Sequence, residues 1–261
     1  MRELKSKIAE TIKLRYKPVA ILFSNEKPPG AVQFKEGLWG CVVPMLKAAA
    51  KGRTAVFDRK TYGCIGGGTG LGFGNTYVKF PGGIEYFLSV GNKKFCESEA
   101  GKQIVKNMPA LSQGEAYLKT PEHARSFVNS LPYYDVPAEY VIFKPLQEVL
   151  PPEKPEVVIF LATPDQISAL VVLANYARHG GDNVIIPLGA GCHSICIIPL
   201  NEGKSAKPRG VVGLIDISAR KHLEKDILSF SIPFNMFLEM EDNVEGSFLN
   251  RDEWLKINER N

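Results

Sequence analysis

Strand-length apolar runs alternating with helix-period segments predict an α/β or α+β protein, with mixed sheets flanked by helices. Two further observations sharpen this. The run Val19-Ala20-Ile21-Leu22-Phe23 behind Lys17-Pro18 reads as a buried strand, and Lys154-Pro155-Glu156-Val157-Val158-Ile159-Phe160 echoes it. Each is followed by a helical pattern, a glycine stop, a short strand and a Gly-Cys pair. The spans Gly52 to Cys64 and Gly180 to Cys192 are both twelve residues long. This recurrence predicts an internal duplication of two half-domains, residues 1–150 and 151–261, joined by the proline-rich connector Pro151-Pro152-Glu153-Lys154-Pro155.

The elements follow in order. Leu4, Ile8 and Ile12 lie four apart and predict a helix over 3–14. After the strand at 19–23 and the turn Pro28-Pro29-Gly30, a helix is expected from Trp39 to Ala50, ended by Gly52. Thr54 to Phe57 is a short strand, and Gly66 to Gly74 reads as a glycine-dense loop. Ile84 to Val90 is a strand candidate, with Glu85 the carboxylate most apt to face a cleft. Helices are expected at 97–109 and from Pro121 to Ser130, with the proline near the first turn. Val141 to Lys144 is extended. In the second half a helix spans Gln166 to Arg178, a strand Asn183 to Pro187, a weakly alternating strand Val211 to Ser218 and a helix Ala219 to Lys225. A final helix begins at Pro233.

Composition narrows the function classes. The apolar share of 44% and charged share of 23% are ordinary for a soluble globular chain with a sizeable core. A net charge of +4 is mild, and no basic run or aromatic-plus-basic stripe supports nucleic-acid binding. No stretch approaches the ~20 apolar residues that span a bilayer. The first residues lack the apolar core of a signal peptide, so a cytoplasmic protein is expected. In that reducing compartment five cysteines, an odd number, argue for buried thiols, metal ligands or redox chemistry rather than a disulfide framework. The apolar stretch 230–240 would cover either the core or a homodimer surface.

No recognised catalytic signature is present. The Gly66 to Gly74 run has six glycines in nine positions, among them Gly66, Gly67, Gly68, Gly70 and Gly72. Such a run permits close backbone approach and can present amides to a cofactor or anion, yet neither nucleotide-binding glycine fingerprint fits it. Cys41, Cys64 and Cys192 each follow a glycine at a turn. Paired Cys-x-x-Cys units typical of zinc are absent, whereas iron–sulfur clusters accept dispersed cysteines, and three thiolates leave one iron open. Cys196 looks like core, Cys96 incidental, and each histidine a surface or capping residue.

Trp39-Gly40-Cys41, Cys64-Ile65-Gly66-Gly67 leading to Gly70-Leu71-Gly72-Phe73, Gly191-Cys192 and Phe230-Ser231-Ile232-Pro233-Phe234 together resemble the domain of unknown function 169 family. That resemblance implies no activity, since none is established for the family. The expectation is therefore an iron–sulfur cluster or other thiolate-held metal bound between the halves by Cys41, Cys64 and Cys192, serving redox or sulfur chemistry. Two alternatives stand beside it. One is a non-catalytic small-molecule module in which the glycine run cradles an anion near Arg53, Arg59 or Lys60. The other is a thiol-redox protein cycling a disulfide.

Overall fold

The structure, a computed structural model, describes residues 4–260. Among these residues seven strands form one mixed sheet: β1 (Val19–Ser24), β2 (Ala55–Phe57), β3 (Tyr140–Pro145), β4 (Val157–Ala162), β5 (Val184–Ile185), β6 (Gly210–Gly213) and β7 (Leu228–Pro233), in the order β2-β3-β1-β4-β7-β6-β5. With the flanking helices this is the α/β architecture that the periodicities predict. The two Lys-Pro strands are neighbours at the middle of the sheet. β1 and β4 run antiparallel, with Val19 opposite Ile159, Ala20 opposite Val158 and Ile21 opposite Val157.

Outward from this central pair the sheet reads alike in both directions. From β1 come β3, β2 and an isolated bridge at Val32, paired antiparallel, antiparallel and parallel. From β4 come β7, β6 and β5, again antiparallel, antiparallel and parallel. Each side also visits its positions in the same chain order: first, fourth, third, second. This differs from the equivalence that the twelve-residue spacings suggest. Those spacings match β2 with β5, but β2 lies third from the middle and β5 fourth, at the opposite edge. The spacing compares chain length alone, and sheet position is set by non-local pairing that spacing does not encode.

The helices are α1 (Lys7–Thr11), α2 (Val42–Ala50), α3 (Ile65–Gly70), α4 (Ile84–Phe87), α5 (Lys93–Glu97), α6 (Glu99–Asn107), α7 (Ala110–Gln113), α8 (Pro121–Asn129), α9 (Pro164–Asn175), α10 (Ile198–Glu202), α11 (Ile217–Arg220), α12 (Phe234–Asn243) and α13 (Asp252–Asn258). A π-helical segment, His193–Ile197, leads into α10. Local chemistry explains several starts. Thr163 and Gln166 form a reciprocal capping box ahead of α9, with Pro164 in the first turn. Ser6 caps α1 and also donates to the Glu241 carboxylate of α12 at 2.6 Å, tying the chain's two ends together.

Period-two alternation divides the core. Ala20, Leu22, Val56, Ile142, Val158, Phe160, Phe230 and Ile232 join residues of α1, α9, α12 and α13 in one buried cluster. The alternate residues Val19, Ile21, Phe143 and Ile159 are equally buried. On that second face α2 packs over β1, β2 and β3, and the π-helical segment with α10 packs over β6 and β7. The last apolar stretch is strand and helix together: β7 supplies Leu228–Pro233 before α12 begins, because a strand buried on both faces carries no amphipathic signature.

The chain divides into two compact units, residues 1–73 with 135–261, and residues 74–134. The first contains the whole sheet. The second is carried in sequence between α3 and β3 and consists of α4 to α8 with a short 3-10 turn at Thr76–Lys79. There the expected strand at 84–90 is instead helix α4, entered through Gly83 at φ +88°. Glu85 pairs with Arg125 at 3.4 Å, an ion pair that takes the place of the expected cleft role.

Candidate thiolate site

Three loops of the sheet-bearing unit carry the candidate cysteines to helix starts. Cys41 is the residue before α2, with extended backbone. Gly40 precedes it where a Cβ would stand 2.4 Å from the Phe34 ring, so only glycine fits. Gly63 takes φ +83° and would place a Cβ 2.5 Å from the Gly40 carbonyl, so the Cys41 and Cys64 turns are pressed together backbone to backbone. Cys64 then caps α3, its sulfur accepting from the Gly67 amide at 3.2 Å.

The glycine run itself is helix rather than loop over Ile65–Gly70. Glycine disfavours helix by about 1 kcal/mol per residue, and tertiary packing overrides this here. Gly67 would set a Cβ 2.3 Å from the Tyr62 carbonyl, and Gly70 would set one 2.5 Å from Cys192 Sγ. The run therefore supplies closeness. The Gly67 amide turns to the Cys64 sulfur, the Gly68 amide to the Cys64 carbonyl and the Gly72 amide to Thr69. Gly66 contributes a carbonyl, to which the Cys192 thiol donates at 3.0 Å. A single peptide of α3 thus joins the first-half cysteine loop to the second-half one.

Cys192 begins the π-helical segment and is buried. Beyond it, Ser194 Oγ accepts from the Leu214 amide at 3.1 Å and donates to the Gly191 carbonyl at 2.9 Å, fixing this turn to the end of β6. Leu214 adopts φ +57°, a left-handed kink that swings the chain off the strand toward Asp216. Asp216 caps α11, with Oδ2 accepting from Ser218 Oγ at 2.6 Å and from the Ala219 amide at 3.1 Å. Its Oδ1 is buried, and the Gly191 backbone amide acts on this carboxylate against the effect of burial. A Cβ on Gly191 would come within 3.2 Å of that oxygen.

The electrostatics follow from burial and mutual proximity. Burial pushes all three thiols above their usual range, Cys192 farthest. Cys64, Asp216 and Cys41 add to the shift at Cys192, and Cys64 and Asp216 add to that at Cys41. Asp216 is itself raised, by burial first. Four groups that each become anionic on losing a proton thus lie within one another's fields. A cation among them would reverse that penalty and deprotonate the thiols outright. As they stand, among the described residues no three His, Cys, Asp or Glu side chains are disposed to hold a metal ion.

A model of the domain of unknown function 169 family, described as uncharacterised ArCR, matches residues 7–243. The chain belongs to the DUF169 family. No curated protein and no solved structure matches it. Among the described residues of this DUF169 chain no helix is long and apolar enough to cross a membrane.

The other expected groups stand elsewhere. Cys96 lies in α5 of the second unit, and Cys196 is wholly buried with its thiol pushed up to about 12 by burial. His193 is buried and held down to about 4 by desolvation, a core histidine rather than a surface or capping one. Arg59 pairs with Asp135 at 2.7 Å, and Lys60 lies 3.7 Å from Glu36. A cleft of about 430 Å³ is lined by Arg178, His179, Asn183, Lys207 and Glu239, where Arg178 is taken by Glu239 and the Pro208 carbonyl. Sequence reasoning passed over Asp216; its one local signal was an Asp three residues ahead of Ala219 at a helix start.

Proposed function

We propose that this DUF169 protein holds an iron–sulfur cluster, or another thiolate-bound metal, between the two halves of its sheet, with Cys41, Cys64 and Cys192 as ligands. The observation that carries this reading is the meeting of Cys64 and Cys192 at the Gly66–Gly67 peptide, with the Cys41 turn pressed against the Cys64 turn through Gly40 and Gly63. Soft thiolate donors select iron–sulfur clusters, zinc or copper(I) over hard cations. When bound, such a group would supply electron transfer or a Lewis-acidic iron for sulfur chemistry. The chain's own residues would hold and shield it. The Gly67 amide lowers the proton affinity of Cys64, Gly70 leaves room for Cys192, and Cys41 and Cys64 are part-buried where Cys192 is buried.

The thiol-redox alternative draws less support. Its reactive species is the thiolate, and burial without a metal suppresses that form at all three cysteines. The anion-binding alternative is weakened by the ion pairs that already occupy Arg59 and Lys60.

Purification without oxygen, a visible spectrum and assays of iron and acid-labile sulfide test the proposal. A brown protein is expected, with Cys192→Ser losing the cofactor and Cys96→Ser keeping it. Equal retention in both variants would contradict the ligand assignment. A colourless, metal-free protein whose thiol count falls on mild oxidation would favour disulfide cycling.

A further inference from the structure

The cleft of about 430 Å³ opens at the end of the sheet where β5 and β6 begin. These two strands run parallel, and Cys192 follows the far end of β5 as Leu214 follows the far end of β6. The cleft is therefore separate from the thiol loops and independent of the thiolate reading. Three segments wall it: the chain behind α9, the 206–208 loop ahead of β6, and the first turns of α12. β7 delivers α12 to this end because it runs antiparallel to β6. The volume falls within the range of small-molecule sites, about 300–1,000 Å³.

The protein's own bonds hold these walls in place. Arg178 donates from Nε to Glu239 at 2.7 Å, from Nη2 to the other Glu239 oxygen, and from Nη1 to the Pro208 carbonyl. The loop carrying Lys207 is pinned on both sides. Ser205 Oγ accepts from the Lys207 amide at 3.1 Å, and the Glu202 carboxylate accepts from Arg209 at 2.8 and 3.0 Å. Asn183, only 6% exposed, is fixed with equal care. Its carbonyl accepts from the Gly210 amide, and its Nδ2 donates to Asn175 Oδ1 at 2.9 Å and to the His179 carbonyl at 3.4 Å. Asn175 Nδ2 is committed to the Val171 carbonyl, so both neighbours of the Asn183 amide are acceptors and its orientation is set. Asn183 Oδ1 has no protein donor among the described residues, yet it is not sealed from solvent. What it accepts from must come through the cleft.

We infer that this cleft binds a small organic monoanion bearing a neutral O–H or N–H donor on an apolar body, the chemistry of a hydroxy acid. Lys207 and the His179 ring, whose side chains hold no hydrogen bond or ion pair among the described residues, are the donors to its carboxylate. Asn183 Oδ1 accepts from its hydroxyl, and Ala177, Pro208 and Met236 meet the apolar body. Charge decides between a monoanion and a zwitterion. Arg178 and Glu239 neutralise one another, which leaves the single positive charge of Lys207. An ammonium would find only a neutral amide oxygen and a carboxylate already held by Arg178.

The test is calorimetric titration of the full chain with three probes that share one apolar body: phenyllactate, phenylpropanoate, which lacks the hydroxyl, and phenylalanine, which replaces it with an ammonium. Phenyllactate is expected to bind saturably and to shift the Lys207 and Met236 amide signals in NMR spectra. Phenylpropanoate should bind at least ~10-fold more weakly, because it leaves Asn183 Oδ1 desolvated and unpaired. Phenylalanine should also be weaker. Lys207→Ala removes an exposed side chain with no protein partner, so it should melt with wild type while losing at least ~10-fold in phenyllactate affinity. Ala177→Trp, at another exposed position, should fill the cleft and abolish binding. No binding of phenyllactate at millimolar concentration would overturn the inference. So would equal affinity for phenylpropanoate, tighter binding of phenylalanine, an unaffected Lys207→Ala protein, or signal shifts confined to the cysteine loops.

Discussion

Gly70→Ala is the most direct probe of how the cysteine loops meet. In an ordinary helix this exchange stabilises by about 1 kcal/mol, because alanine loses less backbone freedom on folding. Here the added methyl would sit 2.5 Å from Cys192 Sγ, 2.6 Å from its Cβ and 2.9 Å from its carbonyl carbon. Comfortable contact needs about 3.5–4.0 Å, so the overlap is roughly 1 Å and reaches backbone as well as side chain. Overpacking of that kind costs about 1–3 kcal/mol, and with the helical gain of about 1 kcal/mol subtracted the net loss is up to about 2 kcal/mol. Urea unfolding of the metal-free protein measures it. Gly181→Ala is the control: nothing lies within 4 Å of its added carbon and its backbone is not left-handed, so a change within about 0.5 kcal/mol is expected. In a Cys192→Gly background the Gly70→Ala penalty should shrink, since two of the three close contacts vanish. A Gly70→Ala protein more stable than wild type would refute the close approach of α3 to Cys192.

Three other perturbations have defined signs. Glu224 is pulled from its usual 4.5 to about 2, chiefly by its hydrogen bond from Lys47. A depressed carboxylate stabilises above its unfolded value, so that contribution should fade as pH drops from about 4.5 to about 2 and should be largely missing in Lys47→Ala; parallel acid-unfolding curves for the two proteins would contradict it. His193, held near 4 against its usual 6.5, stays neutral while the unfolded chain takes up a proton, so stability should rise with pH between about 4 and 6.5. An imidazole NMR titration giving an unshifted midpoint would remove that account. Ser6→Ala deletes both the α1 cap and the donor to Glu241, with an expected loss of about 1–2 kcal/mol by denaturant titration; a neutral result would show that the α1–α12 tie contributes nothing.

Much of the architecture was readable because it is written in local chemistry. β1 and β4 announce themselves by apolar runs behind Lys-Pro, and α8 and α9 by a threonine ahead of a proline. What was not readable depends on partners distant in sequence. Six glycines in nine positions spell a loop by propensity, and α3 is helical there only because Tyr62, Val42 and Cys192 crowd it. Ser229 and Ser231 break the apolar pattern of β7 although both are buried, so the strand hid inside a stretch that reads as a helix approach. The three cysteines were legible as glycine-preceded turns. The place of their loops in the sheet was not. Chain spacing sets the span Gly52 to Cys64 against Gly180 to Cys192, yet β2 and β5, the strands within those spans, lie third and fourth from the middle of the sheet.

The seam between β1 and β4 has a consequence for how the molecule can be divided. Either strand, stripped of its neighbour, would present a bare edge of fully buried aliphatic residues to water. The buried cluster on one face of the sheet is itself continuous across that seam, drawing Ala20 and Leu22 from β1 and Val158 and Phe160 from β4, so a cut at residue 151 would leave neither piece with a complete core.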